Sequence, residues 1–293
     1  MNENRVISYI EEYANELGFT NPHPGVFYYT DSTGSVSYRK VNTDYGDRLE
    51  FLAVFAGAPE SDLDGQNFIS FVSKHYKFEG NDRIRESVIS SLNEGGIQLK
   101  EERIYMGDNY SFMSSEYVLG NPKTTPQQDD IYPMITIMNS YDGKYAKSMI
   151  FGLSIYKDSD YYSIRFSDKH RFGKFRQIHS RGAKTFSIST VASYVDRFNE
   201  SMDSIIESSV TKRFTSDEIT NTIAMLEEFG KRRSSKMSEE IQDLLREKGS
   251  LTTWDMFILI AKYASQVKSI NVKTMMENLA ETILFMPVEM ANL

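Results

Sequence analysis

The spacing of hydrophobic residues along the chain changes near residue 185. Before this point, Tyr, Phe, Val, Ile and Thr alternate with polar residues and are separated by turn sequences, which is typical of β-strands. After it, apolar residues recur every three or four positions, as on one face of a helix. We therefore predict an α+β fold. A strand-rich part with an antiparallel sheet and a few helices (residues 1–184) precedes an all-helical domain (residues 185–293).

The same pattern, together with the turn residues, predicts individual elements of the first part. Strands are predicted at residues 26–29, 35–41, 49–55, 97–105, 110–119, 134–138, 146–156 and 161–166. Helices are predicted at residues 3–17, 64–76 and 81–92. The segment 120–130 holds two prolines, two glutamines and two aspartates, which indicates a polar loop or link.

The second part begins with a predicted helix whose apolar residues form a seam. The seam residues alternate at spacings of three and four: Ile188, Val191, Val195, Phe198, Met202 and Ile205. Packing within the molecule is favoured over a partner helix, because so short a seam is ordinary in helical domains. Further helices are predicted to start near Ser216, before Met237, at Thr252 or Thr253, and with Asn271 as a cap.

Composition narrows the class of protein. With 293 residues, of which 40% are hydrophobic, the chain can bury a substantial core. It has no cysteine, its N-terminus does not resemble a signal peptide, and its longest apolar runs are far shorter than a membrane helix. We expect a cytoplasmic protein without a membrane contact. A net charge of −8 disfavours indiscriminate binding to a phosphate backbone.

The search for catalytic motifs yields no candidate. Phosphate-binding glycine loops, His-Glu-x-x-His and Gly-x-Ser-x-Gly are absent from the sequence. His170 and His179 are too few for a metal site, and the adjacent acids Asp129 and Asp130 are typical of solvated surface. We therefore predict no catalytic residue, no metal and no cofactor.

One stretch departs from the acidic character of the chain. The basic strip, residues 165–184, has seven Lys or Arg and one acid, so its net charge is +6 and the remainder carries −14. Its candidate binding residues are Arg165, Lys169, Arg171, Phe172, Lys174, Phe175, Arg176, His179, Arg181 and Lys184. Aromatics between cations suit single-stranded nucleic acid, and they equally suit a protein interface. A solvated loop is the simpler alternative.

A resemblance to a known family rests on two motifs. The run from Pro133 to Gly143, PMITIMNSYDG, resembles the strand and Asn-Ser-His-Asp-Gly turn of domain of unknown function 932, found in phages, prophages and plasmids. The run Ile178 to Gly182, IHSRG, is similar to that family's basic segment before a long helix. The resemblance covers about residues 130–265.

Two substitutions set this chain apart from the family pattern. Tyr141 replaces the turn histidine, and residues 157–160 replace a Cys-x-Asn-Gly element. The resemblance implies a mobile-element origin, a bacterial cytoplasm, and a family-motif turn of candidate site residues: Asn139, Tyr141, Asp142 and Gly143. A purely structural hairpin is the alternative, because Asp-Gly is a favoured tight turn.

Two functions fit these features. The first is a non-enzymatic phage or mobile-element protein that binds a host protein complex as a homo-oligomer, for instance to inhibit an anti-phage defence nuclease. Its support is the acidic surface together with Met-rich apolar faces around Met275, Met276 and Met286. The second is a single-stranded DNA-binding or annealing accessory protein that uses the basic strip.

Overall fold

The protein was analysed as a computed structural model. The structure describes residues 22–30, 36–43, 50–56, 68–73, 81–106, 112–142, 147–157, 159–167, 174–177, 188–267 and 269–290. The helix expected at residues 3–17 lies outside these ranges, as does the predicted domain boundary at 184/185. The α+β prediction is confirmed: an antiparallel, strand-rich part precedes a helical part.

The first four strands form one sheet in the order β1-β2-β3-β4. They are β1 (Pro22–Thr30), β2 (Val36–Thr43), β3 (Glu50–Ala56) and β4 (Phe68–Ser73), each antiparallel to the next. The helix predicted at 64–76 is wrong, because β4 occupies residues 68–73 of this segment. Its sequence FISFVS has apolar residues at spacings that suit either structure, and pairing with β3 decides for the strand.

The second sheet has seven strands around the main path β10-β9-β8-β6-β5. After helix α1 (Asn81–Glu94) come β5 (Leu99–Met106), β6 (Phe112–Leu119), β7 (Lys123–Thr124), β8 (Asp130–Ser140), β9 (Lys147–Lys157), β10 (Asp160–Arg165) and β11 (Lys174–Gln177). Two strands were not predicted: β7 pairs with β8 and β11 pairs with β9. Both are short, and β11 lies within the basic strip, so neither has a readable hydrophobic period.

Close packing around Gly152 requires a glycine at this position of the sheet. Gly152 lies opposite Arg165 of β10, and a side chain here would collide with the carbonyl oxygen of Ile164. The Tyr194 hydroxyl donates a hydrogen bond to the Gly152 carbonyl, and its ring stacks on Phe151 at 4.4 Å. Burial raises the pKa of Tyr194, which keeps the hydroxyl protonated as a donor.

Five helices complete the described chain. They are α2 (Ile188–Thr211), α3 (Ser216–Leu226), α4 (Lys231–Lys248), α5 (Thr253–Ser265) and α6 (Ile270–Met290), with a 3₁₀ turn at Glu227–Phe229. The α2 seam packs inside the molecule: Val191, Phe198, Met202 and Ile205 are all buried. Asn271 does not cap α6, since the helix already begins at Ile270.

The chain forms two compact units that alternate along the sequence. One comprises Met1–Tyr117, Thr136–Met149 and Phe175–Ile188, and the other comprises Val118–Ile135, Ile150–Lys174 and Ser189–Leu293. We call the second the helical unit, because it contains nearly all of α2 to α6. Its core includes Trp254, Phe257, Met276 and Ile283, each at most 2% exposed.

Candidate functional site

Two of the family-motif residues, Asn139 near the end of β8 and Tyr141 directly after it, hold the start of α1. Asn139 is 1% exposed, and its side-chain amide donates to the Asn81 side-chain oxygen at 2.8 Å. The Tyr141 hydroxyl accepts the backbone N–H of Asn81, also at 2.8 Å. The first N–H groups of a helix have no partner within it, so this hydroxyl stabilises the start of α1. Asn139 and Tyr141 therefore have structural roles.

The remaining two residues of the motif are Asp142, for which one hydrogen bond is described, and Gly143. The Asp142 carbonyl accepts the Ser70 hydroxyl of β4 at 3.5 Å, and the residue is partly exposed. Gly143 lies outside the described residues. Among the described residues of this turn, the contacts of Asn139 and Tyr141 are structural, since both join the start of α1.

Arg165, the first residue of the basic strip, lies inside the helical unit. It is 8% exposed, and its guanidinium binds the Glu277 carboxylate of α6 at 2.6–3.0 Å through Nε and Nη2. Glu277 is itself 1% exposed. Because the ion pair uses the charge of Arg165 internally, this residue does not add to an exposed basic surface.

A second carboxylate of α6 binds the chain just beyond Arg165. Glu281 is fully buried, and its Oε2 accepts the backbone N–H of Ser167 at 2.7 Å. Glu277 and Glu281 are four residues apart, so both face the same side of the helix. Together they fix the position at which the basic strip leaves β10.

The other candidate residues of the strip are only partly described. Lys174, Phe175 and Arg176 lie on β11, of which the backbone alone is described. Outside the described residues lie Lys169, Arg171, Phe172, His179, Arg181 and Lys184. Among the nearby aromatics, Tyr162 and Phe166 are buried, and Phe166 packs against Phe285 of α6 at 5.6 Å. Only Tyr161 of these three is exposed, at 44%.

Asp129 was expected at the surface and is instead 1% exposed. Its carboxylate accepts Lys157 Nζ at 2.7 Å and the Trp254 indole N–H at 2.9 Å. A buried carboxylate is tolerated only when donors replace its water, and these two do so. The cluster connects β9 to α5 within the helical unit. It explains why the only tryptophan of the sequence lies at this position.

Two features were missed by the sequence analysis. One is the apolar end of β5, at the edge of the seven-stranded sheet, where Ile104 and Tyr105 are 47% and 44% exposed. The other is a pocket of about 550 Å³ beside the first turn of α4, lined by Lys231, Arg232, Arg233 and Lys236. The sequence signal for the pocket is a basic run directly after Gly230, at the start of a helix.

Comparison with known proteins adds no relative. No family model matches the chain, and searches of curated proteins and of solved structures found no match either. The resemblance to domain of unknown function 932 therefore stays a prediction. Within the described ranges, no helix is long and apolar enough to cross a membrane, and no three His, Asp or Glu side chains group as metal ligands.

Proposed function

We propose that the chain is a non-enzymatic accessory protein of a phage or similar mobile element. It acts in the bacterial cytoplasm by binding a host protein complex, for instance a defence nuclease, and it works as an oligomer. The observation that carries this proposal is the edge of β5. Among the strands that the structure describes, β5 pairs only with β6, so its other edge can pair with a strand of a partner.

Three of the four charged residues of β5 form ion pairs within its own unit. Glu102 binds Arg85 of α1 through a bidentate pair at 2.7–2.9 Å. Arg103, 7% exposed, pairs with Glu101 at 2.8 Å and lies 3.6 Å from Glu116. Paired charges deter strand addition less than free ones, and two exposed apolar residues, Ile104 and Tyr105, lie near the end of the strand.

Addition of a partner strand is the recognition mode that fits such an edge. Main-chain hydrogen bonds supply the affinity, and exposed side chains such as Ile104 and Tyr105 supply the specificity. The partner segment is extended and apolar, within a basic surface, because the net charge of −8 steers a positively charged partner towards the chain. A basic surface is what a nuclease presents to DNA, so an acidic protein competes for it.

The test is affinity capture from a lysate of the bacterium that carries the element, followed by cross-linking mass spectrometry. We expect a stoichiometric host protein whose cross-links reach Lys100, an exposed residue of β5. The Ile104→Lys variant should lose it, because a lysine on an edge strand opposes pairing. Met225→Lys is the matched control: Met225 is 52% exposed on α3, so this variant should retain the partner.

Three results would contradict the proposal. One is equal capture by Ile104→Lys and wild type, and another is the absence of any stoichiometric partner. The third is conversion of an oligomer to a monomer by Ile104→Lys, measured by light scattering. That result would show that β5 pairs with a second copy of the chain and not with a host protein.

A further inference from the structure

The pocket beside the first turn of α4 combines an apolar floor with a cationic rim. Its volume is about 550 Å³, within the range of small-molecule sites. Phe229, Tyr263 and Val267 line it and are each at most 9% exposed. Four cationic residues also line it, and no carboxylate is among its lining residues in the described part of the chain.

Within the described part of the chain, three of the four cations have no side-chain partner. Lys231, Arg232 and Lys236 are exposed, and none of them bonds a side chain that the structure describes. Arg233 differs, because its Nη1 donates to the Phe229 carbonyl at 2.9 Å. The rim thus presents three free positive charges on a protein whose net charge is −8.

Two of these charges, Lys231 and Arg232, lie in the first turn of α4, where a helix disfavours them. The N-terminal end of a helix carries partial positive charge, so cations in the first turn are unfavourable and anions are favourable. The first turn of α4 has no acidic residue and no side-chain cap. Gly230 precedes this turn with a φ of 96°, a backbone angle that residues other than glycine rarely adopt. The N–H groups of Arg233 and Ser234 donate to the Gly230 carbonyl, so a bound anion would meet the cations and the N–H groups of Lys231 and Arg232.

Two acids of α4, Glu239 and Glu240, lie near the pocket residue Tyr263, and Glu240 is paired with other groups. Glu240 of α4 binds Lys262 Nζ at 2.5 Å and accepts the Tyr263 hydroxyl at 2.9 Å. Burial, and then the hydrogen bond to Glu240, raise the pKa of Tyr263, so its hydroxyl stays neutral. Glu240 is therefore occupied by its own partners, and the pocket keeps its positive charge.

We propose that this pocket binds a phosphorylated small molecule. The phosphate groups lie against Lys231, Arg232, Lys236 and the first N–H groups of α4, and the apolar part lies on Phe229, Tyr263 and Val267. Charge-assisted bonds from Lys and Arg are the strong contacts to phosphate, and helix N-termini add to them. This site goes beyond the proposed host-protein binding and belongs to a different compact unit from β5.

The test uses the full chain with pyrophosphate, ATP and adenosine as probes, by titration calorimetry and thermal unfolding. We expect pyrophosphate and ATP to bind and raise the melting temperature, ATP more strongly because adenosine adds apolar contact. Adenosine alone should not bind. Lys231→Gln, Arg232→Gln and Lys236→Gln should each weaken ATP binding about tenfold, as expected for one lost charge-assisted contact.

Arg246→Gln is the matched control, because Arg246 is exposed on the same helix outside the pocket. It should leave ATP binding unchanged. Without ligand, Lys231→Gln and Arg232→Gln should unfold at the same or a slightly higher temperature, since they remove charges that the helix disfavours. Lower affinity in these variants then reflects a lost contact and not a damaged fold.

Other outcomes would overturn the proposal. They are no binding of pyrophosphate or ATP, and equal loss in Arg246→Gln. Binding of a single-stranded oligonucleotide without binding of ATP would also overturn it, because the pocket would then belong to a nucleic-acid surface. None of these results bears on the β5 edge, so the two proposals fail separately.

Discussion

Arg165 and Glu277 carry opposite charges at a place where neither side chain reaches much water. The pair at 2.6 Å satisfies both groups, and Asp129 is satisfied in the same way by Lys157 and Trp254. Such pairs add little net stability over an apolar core, yet removing one partner leaves a buried charge without compensation. At the residue scale, the interior of the helical unit is therefore most sensitive to single charge deletions.

Glu277→Ala tests this sensitivity. We expect it to lower the free energy of unfolding by about 3–5 kcal/mol, because Arg165 would remain buried without a counter-ion. Replacing both residues in Arg165→Met/Glu277→Leu should cost much less than Glu277→Ala alone. Urea denaturation followed by circular dichroism gives the three free energies.

An exposed ion pair provides the control for this measurement. Arg246 and Asp243 on α4 lie 3.0 Å apart with side chains 77% and 66% exposed. Asp243→Ala should change the free energy of unfolding by less than about 1 kcal/mol, as is usual at the surface. A comparably small effect of Glu277→Ala would show that Arg165 reaches water in solution.

At the scale of elements, helices α3 and α5 begin with the same device. Thr215 with Glu218, and Thr252 with Asp255, form capping boxes in which each side chain accepts the other's backbone N–H. Helix α4 has none and starts with cations. In α3 and α5, side chains of the fold itself accept the first N–H groups. In α4, our proposal assigns this role to a bound phosphate group.

Asp255→Asn tests the α5 cap and its pH dependence. Burial raises the pKa of Asp255, but hydrogen bonds from Lys248 and Thr252 outweigh it, so the net pKa is lowered. The carboxylate therefore stabilises the folded state above its unfolded pKa, near 3.8, and this contribution is lost as the pH falls through the lower folded value. We expect Asp255→Asn to cost about 1 kcal/mol at neutral pH.

Thermal unfolding of both proteins between neutral and strongly acidic pH measures the difference. The gap between wild type and Asp255→Asn should close as the pH falls below about 4, the ordinary range of aspartate. Asp217→Asn, in the first turn of α3 but outside its capping box, is the control and should show a smaller cost at neutral pH. A gap that is constant with pH would contradict the role of the Asp255 charge.

At the scale of the whole molecule, the distribution of charge bears on the choice between a protein partner and single-stranded DNA. The basic strip is the only long cationic stretch of a chain with net charge −8, and its first cation, Arg165, is bound internally. Two of its aromatic neighbours, Tyr162 and Phe166, are core residues. These observations favour a protein partner over single-stranded DNA.

Single-stranded DNA binding across salt concentrations tests that preference. We expect a dissociation constant weaker than about 10⁻⁴ M at physiological salt, the weak end of non-specific binding. Fluorescence anisotropy with an oligothymidine probe measures it, at low and at physiological salt. Tight binding whose salt dependence shrinks in Arg171→Ala/Lys174→Ala/Arg176→Ala would reinstate the nucleic-acid hypothesis.

Strong local patterns made much of the fold predictable. The alternation in β6, β9 and β10 and the period of α1 to α5 place these elements close to their observed bounds, whereas β8, predicted at 134–138, extends over Asp130–Ser140. The prediction failed at β4, where local spacing suits two structures, and at β7 and β11, where no hydrophobic period exists. The pairing of β4 with β3, of β7 with β8 and of β11 with β9 determines these conformations, and the residues of each strand alone do not report that pairing.

The sequence by itself determined the order of strand-rich and helical parts and the acidic character, because periodicity and charge are properties of neighbouring residues. It also located the basic strip. Only the tertiary structure decided that Arg165 and Asp129 are internal, that Tyr141 caps α1, and that Lys231, Arg232 and Lys236 line one pocket. Burial and pairing depend on residues far apart in the chain, and folding alone brings them together.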